Sequence, residues 1–236
     1  MAGFITYWPK EYVKNLKKAG DTGELSVIFG SHHTKMPSIS SVKVGDVVFP
    51  VTLAEVTLCV MARMPVDRIE RAFDYLMRET GQIHSALVPD GYALEHEYRV
   101  GGLFYMMNSG KYEKKEDLPE GTIILIPRKM EAKPHKFHQE PQTCCAKLAA
   151  CGDHGSKIAA RPLPLEVLPN LRFGPKGKEK PLKLDKNGIP SVVSLSGFVR
   201  QMSTETETVF EALFSQKNYN LKENIGLGNL EKKTFS

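Results

Sequence analysis

Residues 42 to 63, VKVGDVVFPVTLAEVTLCVMAR, constrain the fold more than any other stretch. Two apolar, β-branched runs are separated by a short polar break, and Gly45-Asp46 marks a tight start to the first. They read as two strands, VKVGDVVFPV and VTLCVMARM. Pro50 lacks a backbone N–H, which predicts an edge position or a bulge for the first strand. The chain around this pair alternates between strand-like and helix-like patterns. FITYW (4 to 8) reads as a strand, and PKEYVKNLKKAG as a helix that opens at Pro9 and stops at Gly20, with Tyr12, Val13, Leu16 and Ala19 on one stripe. PVDRIERAFDYLMRETG spaces Val66, Ile69, Ala72, Phe73, Leu76 and Met77 as a helix running from Pro65 to Gly81.

Further strands are predicted at 25 to 29, within GYALEHEYRV and GLFYMM, at TIILIP (122 to 127, a buried strand) and at SVVSLSGFV. TETETVFEALF carries the spacing of a capping box, Thr204 with Glu207. Strands and helices without regular βαβ alternation predict an α+β fold, with a mixed, mainly antiparallel sheet closed into a small barrel flanked by helices. The expected division is a barrel core over 1–130, a loop-rich extension over 131–216 that completes the same domain, and a polar tail over 217–236. No internal repeat is visible.

At 236 residues and 41% hydrophobic, the chain is long enough for a substantial core. It contains no apolar run of the roughly 18 residues that span a bilayer, and MAGFITYWPK lacks a signal-peptide pattern. With four cysteines, two of them adjacent, these features predict a cytoplasmic protein with reduced thiols and no membrane partner. The net charge of +5 is uneven. LRFGPKGKEKPLKLDK (171 to 186) holds Arg172, Lys176, Lys178, Lys180, Lys183 and Lys186 against Glu179 and Asp185. That stretch is either a solvated lysine loop or an electrostatic footprint for phosphates, with Arg172, Lys176, Lys178 and Lys180 as the contacts.

KPHKFHQEPQTCCAKLAACGDHG (133 to 155) holds three of the seven histidines and three of the four cysteines. Its H-x-x-H (His135, His138) and C-x-x-H (Cys151, His154) spacings suit a tetrahedral zinc ion, and His135, His138, Cys144 and His154 are the candidate ligands. A catalytic alternative pairs Cys144 with His154 as thiol and base. The plain alternative is a short helix over CCAKLAAC, with Cys144, Leu148 and Cys151 on one face as small hydrophobes. Gly152 and Gly155 flank Asp153-His154 and allow either an ordinary turn or close backbone approach to a ligand. GSHHTKMPS adds His33, Thr34 and Lys35 as donors at the mouth of a barrel; Thr143 and Ser196 add hydroxyls, Arg200 a guanidinium, and Trp8 an aromatic face for stacking. The familiar nucleotide-loop, dinucleotide, zinc-protease and nucleophile-elbow fingerprints are absent from the sequence.

FITYWPKEYV, then SSVKVGDVVFPV followed by LCVMARMPVDRI, resembles the PUA-like superfamily, in particular its ASCH and EVE branches. Such domains open with an aromatic strand, begin a second strand at K-x-G-D and return across a small barrel. The resemblance runs from residue 4 to about 70, or to 130 with insertions. It implies a mixed barrel flanked by helices that binds RNA or a modified base in a pocket at the barrel's mouth. The expected function is therefore non-enzymatic binding of nucleic acid or a nucleobase without a cofactor, through Trp8, His33, Thr34, Lys35, Thr143, His154, Ser196 and Arg200. Two alternatives stand beside it: a Cys/His- or zinc-dependent hydrolase or nuclease, and a protein-interaction module such as an immunity protein.

Overall fold

The computed structural model describes residues 1–31, 39–54, 56–81, 88–98, 101–126, 146–192, 195 and 199–215, with Ser31, Tyr98 and Ala146 as backbone. The fold is mixed α+β, mostly strands with few helices. The chain gathers into two compact units, Met1–Leu25 with Gly45–Pro65 and His154–Ser236, and Ser26–Val44 with Val66–Asp153. Each takes chain from both sides of residue 130.

The first unit is built on β1 (Gly3–Tyr7), β3 (Val47–Ala54) and β4 (Thr57–Val60). β1 lies parallel to β3, and β4 returns antiparallel, as the two apolar runs predict. Gly45 turns the chain at φ 91°, and the Asp46 carboxylate accepts from the Ala2 N–H at 2.8 Å, so the Gly-Asp pair ties the starts of both strands together. β12 (Arg161–Pro162) flanks β4, β15 (Val199–Gln201) flanks β1, and β5 (Met64–Pro65) pairs with the start of β3. Among the described residues this sheet is open, running from β12 to β15.

Pro50 stands in the middle of that sheet and not on its edge. Its carbonyl accepts from Met61 N–H, on the side where β3 changes partner from β5 to β4, so the missing N–H falls in the gap between two neighbours. The helix α1 (Lys10–Lys18) follows Pro9 as expected. The helix α3 (Thr204–Ala212) starts one residue earlier than the capping-box reading: Ser203 is the cap and accepts from Thr206 N–H. Glu207, freed from that role, accepts from Gly3 N–H at 3.0 Å. The core gathers Ile5, Val51, Leu58 and Leu168 around Phe49, whose ring meets Phe210 edge-on at 5.6 Å.

In the second unit β11 (Ala146–Cys151) lies between β2 (Val27–Ser31) and β6 (Arg68–Arg71), antiparallel to both. Two sequence expectations fail at this sheet. CCAKLAAC was expected to be helical, but both edges of 146–151 find strand partners and buried Ala149 and Ala150 are small enough for the centre of a sheet. Tertiary pairing overrides the helix preference of alanine. The same pairing draws in Arg68–Arg71, so the helix expected from Pro65 is shortened to α2 (Ala72–Thr80), which Gly81 ends at φ 67°. A second sheet has the order β10 (Ile123–Leu125), β7 (Tyr92–Tyr98), β8 (Gly102–Met107), β9 (Tyr112–Glu113). β10 was expected to be buried; it is an edge strand with Ile123 52% exposed. Of SVVSLSGFV, only Val199 belongs to a strand among the described residues.

Candidate nucleic-acid interface

The charge of the chain is divided between the units. The first carries 18 basic against 13 acidic residues and the second 14 of each, so the whole excess of +5 belongs to the first. Its focus is a hairpin formed by β13 (Arg172–Phe173) and β14 (Lys180–Pro181). Gly174, at φ 141°, starts the turn so closely that a Cβ would meet the Lys178 carbonyl at 3.0 Å. Lys176, Lys178 and Lys180 are exposed. Lys183 and Lys186, just beyond, are exposed as well. Ion pairs among the described residues engage Arg63, Arg68, Arg71 and Arg78, and none engages these five lysines. Five unneutralised ammonium groups within eleven residues raise the local potential.

The neighbouring arginines have different work. Arg172 donates through one guanidinium nitrogen to the carbonyls of Pro169 at 2.6 Å and Leu171 at 3.1 Å, while its backbone N–H donates to Thr206 Oγ1. That guanidinium nitrogen is committed to the base of the hairpin. Arg200, on β15 opposite Ile5, is half-buried, and burial lowers its pKa from the ordinary value. Gly174 N–H donates to the Gln201 carbonyl at 2.8 Å, which holds β15 beside the start of the lysine turn. Arg200 and the turn lysines thus belong to one corner of the first unit.

Of the other sequence-assigned residues, Trp8 and His154 are among the described ones. Trp8 is fully buried, edge-on to Tyr12 at 5.2 Å, and its Nε1–H has no partner among the described residues; an aromatic face with no exposure cannot stack on a base. His154 is exposed on a turn. The missing side chain of Gly155 makes room for the Leu25 carbonyl, so the close backbone approach expected here is the protein's own. His33, Thr34, Lys35, His135, His138, Thr143, Cys144 and Ser196 lie outside the described residues. Ser31 and Ala146 are register partners, so the described ends of the two His- and Cys-containing segments are side by side in the second unit. Among the described residues no group of three His, Cys, Asp or Glu is placed to hold a metal.

Cys151 is 2% exposed, and burial, reinforced by the adjacent Glu70 carboxylate, pushes its thiol up to about 12. Cys59 is also buried and its pKa is raised by burial. Both shifts disfavour a free thiolate nucleophile near neutrality.

No family model matches the chain. No curated protein or solved structure matches it either. The functional reading therefore rests on the residues themselves.

One surface escaped sequence reasoning. His96 and Phe104 are register partners on β7 and β8, and the His96 and Tyr112 rings meet edge-on at 5.7 Å. His96 and Tyr112 are exposed, while Glu95, Glu97 and Glu113 alternate to the opposite face of the sheet. The signal was present in the period-2 pattern of ALEHEY and LFYMM, but alternation alone does not tell which face is covered.

Proposed function

We propose that this protein is a non-enzymatic nucleic-acid-binding protein, and that Lys176, Lys178 and Lys180, with Lys183, Lys186 and Arg200 alongside, hold its phosphates. The observation that carries the reading is the group of five exposed lysines without ion pairs, in the unit that holds all of the net charge. Phosphate contacts of this kind supply most of the affinity of a sequence-independent complex and release counterions as they form. The PUA-like reading of the first unit draws support from its aromatic first strand, the Gly45-Asp46 start of β3 and the antiparallel return of β4. In that reading the unit is a variant of the small mixed barrel, works in the cytoplasm and takes RNA or a modified base.

Fluorescence anisotropy with labelled single- and double-stranded RNA and DNA tests the proposal. Binding at about 50 mM salt, weakening steeply by about 200 mM, is the expected result. Negligible binding of all four probes at low salt overturns it.

A further inference from the structure

The chain segment that carries the free lysines also closes a small apolar pocket in the first unit. A 3-10 turn, Leu165–Asn170, supplies Leu165 and Pro169, and the chain after β14 supplies Leu184 and Ile189. They line a cavity of about 330 Å³. That is the lower end of the range for small-ligand sites, which begins near about 300 Å³.

A hydrogen-bonded turn completes the lining. Asp185 Oδ1 accepts from Asn187 N–H at 2.8 Å and Ile189 N–H at 2.9 Å, and Gly188 at φ 76° closes the loop with its N–H on the Asp185 carbonyl. One Asp185 carboxylate oxygen is therefore occupied by the backbone. Asn187, which lines the pocket, is exposed, and its side-chain amide has no hydrogen-bond partner among the described residues. Lys183 and Lys186 are exposed beside Leu184 and Asn187. Leu165, at the mouth, is 52% exposed.

We infer that this pocket takes the base of a nucleotide between its leucine, isoleucine and proline walls, with Asn187 on the base edge and Lys183 or Lys186 on the phosphate. The inference rests on the nucleic-acid reading above and makes it specific. A base has two apolar faces and a rim of donors and acceptors, and a carboxamide offers one donor and one acceptor side by side to such a rim. The lysines complement the phosphate charge. A purely hydrocarbon ligand would leave both the amide and the lysines without a role.

The test is a titration of the ¹⁵N-labelled full chain with adenosine, cytidine, guanosine and uridine 5′-monophosphates, followed by amide chemical shifts, beside a control with inorganic phosphate. At least one nucleotide is expected to move the amides of Leu184, Asn187, Gly188 and Ile189. Leu165→Glu, at an exposed position that leaves the fold intact, is expected to weaken that response about tenfold. Silent pocket amides with all four nucleotides, while labelled oligonucleotides still bind, overturn the pocket and leave the broader reading standing. Inorganic phosphate that moves the same amides equally also overturns it. Pocket amides that respond to a nucleotide while every oligonucleotide fails to bind uphold the pocket and overturn the broader reading.

Discussion

Glu70 is the charged hub of the second unit, and replacing it by glutamine should weaken the fold in a pH-dependent way. Its carboxylate, 16% exposed, accepts from two Arg78 nitrogens at 2.6 and 2.8 Å, from Arg68 Nε at 2.9 Å and from Cys151 Sγ–H at 3.4 Å. The Arg78 guanidinium above all, then Arg68 and Cys151, hold its pKa down from 4.5 to about 2, against the opposing effect of burial. That difference corresponds to about 3 kcal/mol in favour of the ionised form in the folded state. Both arginine side chains are 46% exposed, and solvent screening reduces the figure to about 2 kcal/mol. Because the folded pKa lies below the unfolded one, the stabilisation is full above pH 4.5 and is lost as pH falls through about 2. Urea unfolding followed by far-ultraviolet circular dichroism should give Glu70→Gln a deficit of about 2 kcal/mol at pH 7, shrinking steadily between pH 4.5 and 2. An equal deficit at both ends of that window would mean that packing, and not charge, accounts for the cluster, and would refute the reasoning.

Two further outcomes test the packing. Cys59 and Cys151 should resist alkylation at pH 8 in the native state and react once urea is added, as read by peptide mass mapping; rapid native labelling of Cys151 would contradict its burial and raised pKa. Gly155→Ala should destabilise the first unit by about 2 kcal/mol or more, since the new methyl group meets the Leu25 backbone carbonyl and neither side can yield cheaply; an unchanged urea midpoint would count against that contact.

The sequence was legible where local rules and tertiary context agree. The pair β3 and β4, the helix after Pro9 and the stop at Gly81 follow from apolar runs, proline at a helix start and glycine at a helix end. It misled where a strand edge recruited its neighbour. Arg68–Arg71 and Ala146–Cys151 both carry helical spacing, but they lie 81 residues apart for the pair Glu70 and Cys151, and no local pattern announces such a partner. Trp8 illustrates a different limit: an aromatic residue at a strand end reads the same whether it faces solvent or core. The lysine hairpin was visible as composition, whereas the pocket of Leu165 and Ile189 depends on segments brought together by the fold.

The most direct measurement is the slope of log affinity against log salt for a single-stranded oligonucleotide, compared between the native chain and the triple variant K176Q/K178Q/K180Q. Each phosphate contact contributes about 0.7 to that slope, so loss of three should lower it by about 2, with affinity falling at every salt concentration. The fold should be unaffected because all three side chains are exposed. Identical slopes and affinities in the two proteins would show that the hairpin does not meet phosphate, and the central claim would fail.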